Sequence, residues 1–225
     1  MENQNVHLHI LRASGRLEPY RNDLEQTIKG AIAKTAGYIS LHPIDMVVCD
    51  DPRRVIRGFG HGARTYNPYT IQVSLDPAFP DFLKTVIGNE LPRAISHELH
   101  HAVRWKAVGY GKTLLEVLVT EGLASRFEQE MWGGTPSSWA AALSEKALAE
   151  VQVQAKTEYA NTKYDHGRWF FGTGDLPRWA GYTLGYQIVG TYLKKYPDQT
   201  AASLVSTPAK AFIVGLRVGK EELAP

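Results

Sequence analysis

Residues 97–101, His-Glu-Leu-His-His, stand inside a stretch whose apolar spacing is helical from about residue 92 to 105. On an α-helix His97 and His101 lie about 40° apart on one face, one turn above the other, with the Glu98 carboxylate beside them. That pattern ties the segment to a helix whose polar stripe looks inward. Pro92 suits the first turn, where its missing N–H has no intrahelical partner, and Gly109-Tyr110-Gly111 stops the helix.

Two neutral imidazoles at this spacing, with a carboxylate next to them, are the donor pattern of a Zn2+ site that activates water. Such a site takes three protein ligands, and Glu121 is the candidate for the third. On its helix Glu121 shares a face with Val117, Leu118 and Ala124, whereas Glu116 points about 140° away. A carboxylate on an inner face is costly unless a cation or a metal meets it. Arg104, two turns along from His97, is the competing partner, and Glu128 falls near the same face two turns later. His100 lies roughly 60° to the other side of His97 and reads as a supporting or surface group rather than a ligand.

The chain before this helix is a mixture of strands and helices. Residues 6–11 alternate apolar and polar as a strand does, with His7 and His9 on its polar face. Residues 17–39 have the spacing of an amphipathic helix carrying Leu24, Ile28, Ile32 and Ala33, and a second strand covers 45–49. The runs 57–66 and 69–75, joined by Asn67-Pro68, suggest a hairpin. Gly58, Gly60 and Gly62 disfavour a central position for the first run and suit an edge strand. An extended peptide can add to such an edge, which makes Gly60, His61, Gly62 and Arg104 candidates for substrate binding; a flexible edge loop is the plainer alternative. The rest of the chain reads as helices over 113–132, 137–159 and 177–196, with an irregular, aromatic-rich stretch at 161–175 and a short helical tail. The expected organisation is an α+β chain of two lobes acting as one catalytic unit, residues 1–109 with a small mixed or antiparallel sheet and 110–225 all helical, and a cleft between them.

Composition narrows the class without naming it. With 25 Lys plus Arg against 23 Asp plus Glu, and no basic run longer than a pair, nothing marks the chain as a nucleic-acid binder. The lone Cys49 excludes an internal disulfide and lies in the apolar stretch 46–49, where a buried thiol is expected. No apolar signal core opens the chain and no window nears the roughly 18 apolar residues of a membrane span. A soluble, cytoplasmic protein with no membrane partner is the expectation; oligomeric state is not legible.

His97-Glu-x-x-His101, nineteen intervening residues, then Glu121-Gly-Leu-Ala resembles the gluzincin metallopeptidases, the clan of thermolysin and the zinc aminopeptidases. The segments Ser96-His-Glu-Leu-His-His-Ala-Val-Arg104 and Pro177-Arg-Trp-Ala-Gly-Tyr182-x-x-Gly-Tyr186 are more closely similar to a family of small bacterial proteins described as predicted zinc-dependent proteases. The resemblance implies zinc, a thermolysin-like fold and hydrolysis of peptide bonds. Glu98 is then the general base. Gluzincins add an oxyanion donor from the helical half, for which Tyr182, its stripe neighbour Tyr186 and, less directly, His166 are candidates. Gly181 and Gly185 form a smooth stripe on the same helix. A metal-dependent amide hydrolase with one dedicated substrate, and a non-catalytic peptide-binding module on the same fold, are the rival expectations.

Overall fold

The structure, a computed structural model, describes residues 5–216. They belong to two compact units that divide after Lys106. The class is α+β, with one four-stranded mixed sheet and several helices.

In the first unit, β1 (Val6–Ile10) and β2 (Ile44–Asp50) are parallel neighbours, with Val6 opposite Ile44 and Ile10 opposite Val48. Parallel neighbours need a crossover, and α1 (Arg21–Ala36) provides it. Leu24, Ile28, Ala31, Ile32 and Thr35 of α1 are buried. Ala33, expected on that face, is exposed, because Ala31 and Thr35 complete the 3.6-residue stripe instead. The hairpin forms as expected: β3 (His61–Asn67) runs antiparallel to β4 (Thr70–Leu75), with a register shift between Thr65 and Asn67. β4 inserts beside β2 in parallel, so the order is β1-β2-β4-β3 and β3 is an end strand.

Residues 57–60, read as the start of that strand, form a turn instead. Gly58 and Gly60 take φ of +89° and +68°, which a strand cannot use. One face of the sheet is apolar and buried, with Met46, Val48, Ile71 and Val73 at 0% exposure. The other is polar and wetter, carrying His7, His9, Asp45, Gln72 and Arg64. There His9 Nε2 lies 2.8 Å from Asp45 Oδ1, and the half-buried Cys49 Sγ accepts from the Gln72 amide at 3.4 Å.

The helix of the histidine motif, α2 (Leu91–Val108), follows a π-helical stretch, Leu83–Glu90. Leu91 N–H donates to Val86 carbonyl, five residues back. The wider turn ends where Pro92 has no N–H to give, so the α-helix proper begins with proline in its first turn. Ser96 Oγ donates to the Pro92 carbonyl at 2.9 Å and lies 3.2 Å from Thr35 Oγ1, which joins α2 to α1 inside the core.

In the second unit, α3 (Leu114–Trp132) starts at a capping box. Thr113 accepts from Glu116 N–H, while the Glu116 carboxylate accepts from Thr113 N–H at 2.9 Å. Those backbone donors hold the Glu116 carboxyl below its usual pKa. α4 (Glu145–Glu158) begins eight residues later than the spacing suggests. Residues 137–144 are turns because Thr183 captures their backbone: its hydroxyl donates to the Trp139 carbonyl at 3.1 Å and accepts from Ala142 N–H at 3.2 Å. Within the aromatic-rich stretch, Gly167–Phe171 makes a π-helical turn. α5 (Ala180–Lys195) lies against α3, and the small residues set how closely: a Cβ on Gly185 would meet the Leu118 carbonyl, and one on Gly122 the Gly185 carbonyl. The tail forms a 3-10 helix at Ala209–Leu216, and its end beyond 216 lies outside the described residues.

Candidate metal centre

Nine consecutive residues of α2, from Ala94 to Ala102, are buried, although five of them (Ser96, His97, Glu98, His100 and His101) are polar. Burying such groups is costly unless each one finds a partner or an ion. The rings of His97 and His101 meet edge to face with centroids 4.6 Å apart, as the one-turn spacing requires. Glu98, 8% exposed, is held from the sheet: Thr65 Oγ1 on β3 lies 2.7 Å from its Oε2 and 3.0 Å from its backbone carbonyl. Register explains this contact. Thr65 stands opposite Ile71 on the apolar face, so its hydroxyl is turned toward the helix rather than to water. No motif in the sequence marks Thr65, since the contact spans 33 positions.

Glu121 is buried on α3 at 4% exposure and accepts a short hydrogen bond from the Tyr110 hydroxyl. Glu128, seven residues on, is buried as well, so burial alone does not single Glu121 out. Proximity does. His97, His101 and Glu121 form a buried group whose ligand atoms all lie within 4.8 Å of one another. Two imidazole nitrogens and one carboxylate oxygen, all enclosed, suit a divalent transition metal and leave room in its coordination for a further ligand. The sequence signals nothing of Tyr110 beyond its place in the Gly-Tyr-Gly turn after α2. Thr120 ties that turn down, its hydroxyl donating to the Tyr110 carbonyl at 2.9 Å.

The second unit carries a group of aromatic side chains, of which Tyr164 feels the Glu121 charge. Burial first, and then the negative charge of Glu121, push the Tyr164 hydroxyl up to about 12, so it stays protonated. His166 is exposed and stacks on Phe170 at 4.6 Å, and Phe170 meets the Tyr182 ring edge-on at 5.1 Å. Tyr186 is engaged elsewhere: its hydroxyl bonds the Gln129 amide oxygen and the Arg126 guanidinium stacks 3.4 Å from its ring centroid.

The remaining candidates fall as follows. Gly60 packs where a Cβ would strike the Phe79 ring, and Gly62 lies beneath the Arg54 carbonyl. His61 is 1% exposed, stacks on Phe59, and has no hydrogen-bond partner at either ring nitrogen. Burial lowers its pKa to about 4, so it is neutral at physiological pH. Arg104 is 2% exposed, and His100 is wholly buried rather than on the surface. Among the described residues no helix is long and apolar enough to cross a membrane.

Over 126 residues the chain is 29% identical to the uncharacterized protein YjaZ of Bacillus subtilis (strain 168), covering 53% of this chain and 48% of that one. The chain thus spans about half the length of that relative. No solved structure matches. A family model covers residues 42–214, including α2, α3 and α5, and by that match the chain belongs to the family described as "Predicted Zn-dependent protease (DUF2268)".

Proposed function

We propose that the chain is a zinc-dependent peptidase in which His97, His101 and Glu121 hold Zn2+ and Glu98 is the general base. The observation that carries this reading is the buried His-His-Glu group in a chain whose base carboxylate sits on the same helix, already held by Thr65. Zinc bound by such ligands polarises a carbonyl and lowers the pKa of water toward about 7. Every other step belongs to the chain's own residues.

Glu98 takes the proton of the attacking water and passes it to the leaving amine. The Thr65 hydroxyl donates to its Oε2 and so holds the carboxylate in place. The hydrogen bond from the Tyr110 hydroxyl orients Glu121 as a ligand, the part that outer partners play in metal sites. Of the two tyrosines of the α5 stripe, Tyr182 is the proposed oxyanion donor, because the Tyr186 hydroxyl is committed to Gln129. β3, the end strand beside Glu98, is the proposed dock for an extended peptide. A gluzincin-type arrangement acting on peptides in a reducing, cytoplasmic compartment completes the reading.

Metal content and peptide turnover measured together on the natural chain, Glu98→Gln and Glu121→Ala test it. Glu98→Gln is expected to retain stoichiometric zinc and to lose about 10²–10⁴-fold in turnover, while Glu121→Ala loses zinc affinity. Full zinc occupancy in Glu121→Ala, or undiminished turnover in Glu98→Gln, would overturn the assignment.

A further inference from the structure

On the polar face of the sheet, opposite the side on which Thr65 meets Glu98, lies a cavity of about 260 Å³ lined by Arg54, Gly62, Arg64, Tyr66, Gln72 and Ser74, among others. Gly62 has a part in making it: with no side chain there, the turn that carries Arg54 settles directly onto β3. Tyr66 organises the rim. Arg54 Nη1 donates to its hydroxyl at 2.9 Å, and the Arg64 guanidinium sits 5.3 Å from its ring centroid.

The charge of this rim is not balanced. Two arginines, Arg54 and Arg64, line it and no Asp or Glu does, in a chain whose formal net charge is only +2. Asp51 is shared, with Oδ1 at 3.2 Å from Arg53 Nε and Oδ2 at 3.4 Å from Arg54 Nε. Arg64 is exposed and has no carboxylate partner among the described residues. Two guanidiniums on one rim, one of them without an acid, above the Gln72 amide and the Ser74 hydroxyl, form a receptor for a carboxylate, which arginine binds through paired N–H donors.

Strand geometry says whose carboxylate. Arg64 and Tyr66 point to one face of β3, and Thr65 between them points to the face of Glu98. A peptide added alongside β3 presents alternate side chains to these two faces. We propose that the cavity is a specificity subsite for an acidic side chain, Asp or Glu, on the residue of the extended substrate that faces Arg54, Tyr66 and Arg64. The inference rests on the peptidase reading and names the class of substrate that the site takes.

The test uses the full zinc-loaded chain and a peptide set in which Glu, Gln or Lys is placed in turn at each position. Hydrolysis is measured by kcat/KM, and binding of the same labelled peptides by anisotropy. Glu at one position is expected to exceed Gln about tenfold, and Arg64→Glu is expected to shift the preference at that position to Lys. That swap is a gain that loss of folding cannot imitate. Equal kcat/KM for the Glu, Gln and Lys peptides at every position would remove the subsite and leave the peptidase standing. If no peptide is cleaved, the binding arm decides: a tenfold preference in Kd that reverses in Arg64→Glu keeps the acidic subsite and removes the peptidase reading. Equal Kd values remove the subsite.

Discussion

The Thr65 hydroxyl donates its hydrogen bond to the buried Glu98 carboxylate. Thr65→Val keeps the shape and β-propensity of the residue while deleting that bond. We expect zinc content unchanged and turnover down by about tenfold, because a proposed base that drifts from its geometry loses rate without losing metal. Unchanged kcat in this variant would show that Glu98 needs no such support. Tyr110 stands in the same relation to Glu121 through its short hydrogen bond. In Tyr110→Phe, zinc affinity is expected to fall about 10- to 100-fold, read by competition with a coloured chelator. The histidines and Glu98 were legible in the sequence because one helical turn relates them. Thr65 and Tyr110 were not, since each acts through an approach that only the folded chain makes.

Elements follow their local signals closely wherever the chain alone decides. α3 starts near Thr113, where its sequence turns helical, with Thr113 and Glu116 closing a capping box, and Gly133 at φ +67° ends it. The departures occur where a neighbouring element competes for the backbone. Residues 137–144 have alanine-rich helical composition, yet Thr183 binds Trp139 and Ala142, and α4 waits until Ser144 caps it by accepting from Ala147 N–H. Gly122 shows the same dependence at the contact of α3 with α5. As the second residue of Glu121-Gly-Leu-Ala it is part of a family-like string, but its physical reason is the Gly185 carbonyl lying against it. Gly122→Ala is therefore expected to destabilise the chain by about 1–3 kcal/mol despite alanine's better helix propensity, and to lower zinc affinity by displacing the adjacent Glu121. A thermal melt equal to that of the natural chain would refute the close packing.

For the molecule as a whole, the buried neutral imidazole of His61 links stability to pH. Its folded pKa of about 4 is below the unfolded value of 6.5. Above pH 6.5 the ring is neutral in both states and has no effect. As pH falls from 6.5 toward 4 the unfolded chain takes up the proton and the folded chain does not, so up to about 3 kcal/mol of stability is lost across that window. In His61→Leu this part of the acid dependence should vanish. Urea unfolding at pH 7 and pH 4.5 measures it, and equal losses in both proteins would mean that His61 is not held neutral.

By itself, the sequence determined the helix of the histidine motif, the hairpin of β3 and β4, the start of α3 near Thr113 and the donor types of the candidate metal site. All of these depend on periodicity, capping and spacing within one segment. Only the tertiary structure decided that the ligand atoms of Glu121 come within 4.8 Å of those of His97 and His101, that Thr65 and Tyr110 hydrogen-bond the two carboxylates, and that Arg54 and Arg64 share a rim across Gly62. Those facts depend on strand register and on backbone approach between distant segments. A register shift of one residue would turn Thr65 to water and Arg64 to the core, and no local pattern carries that information.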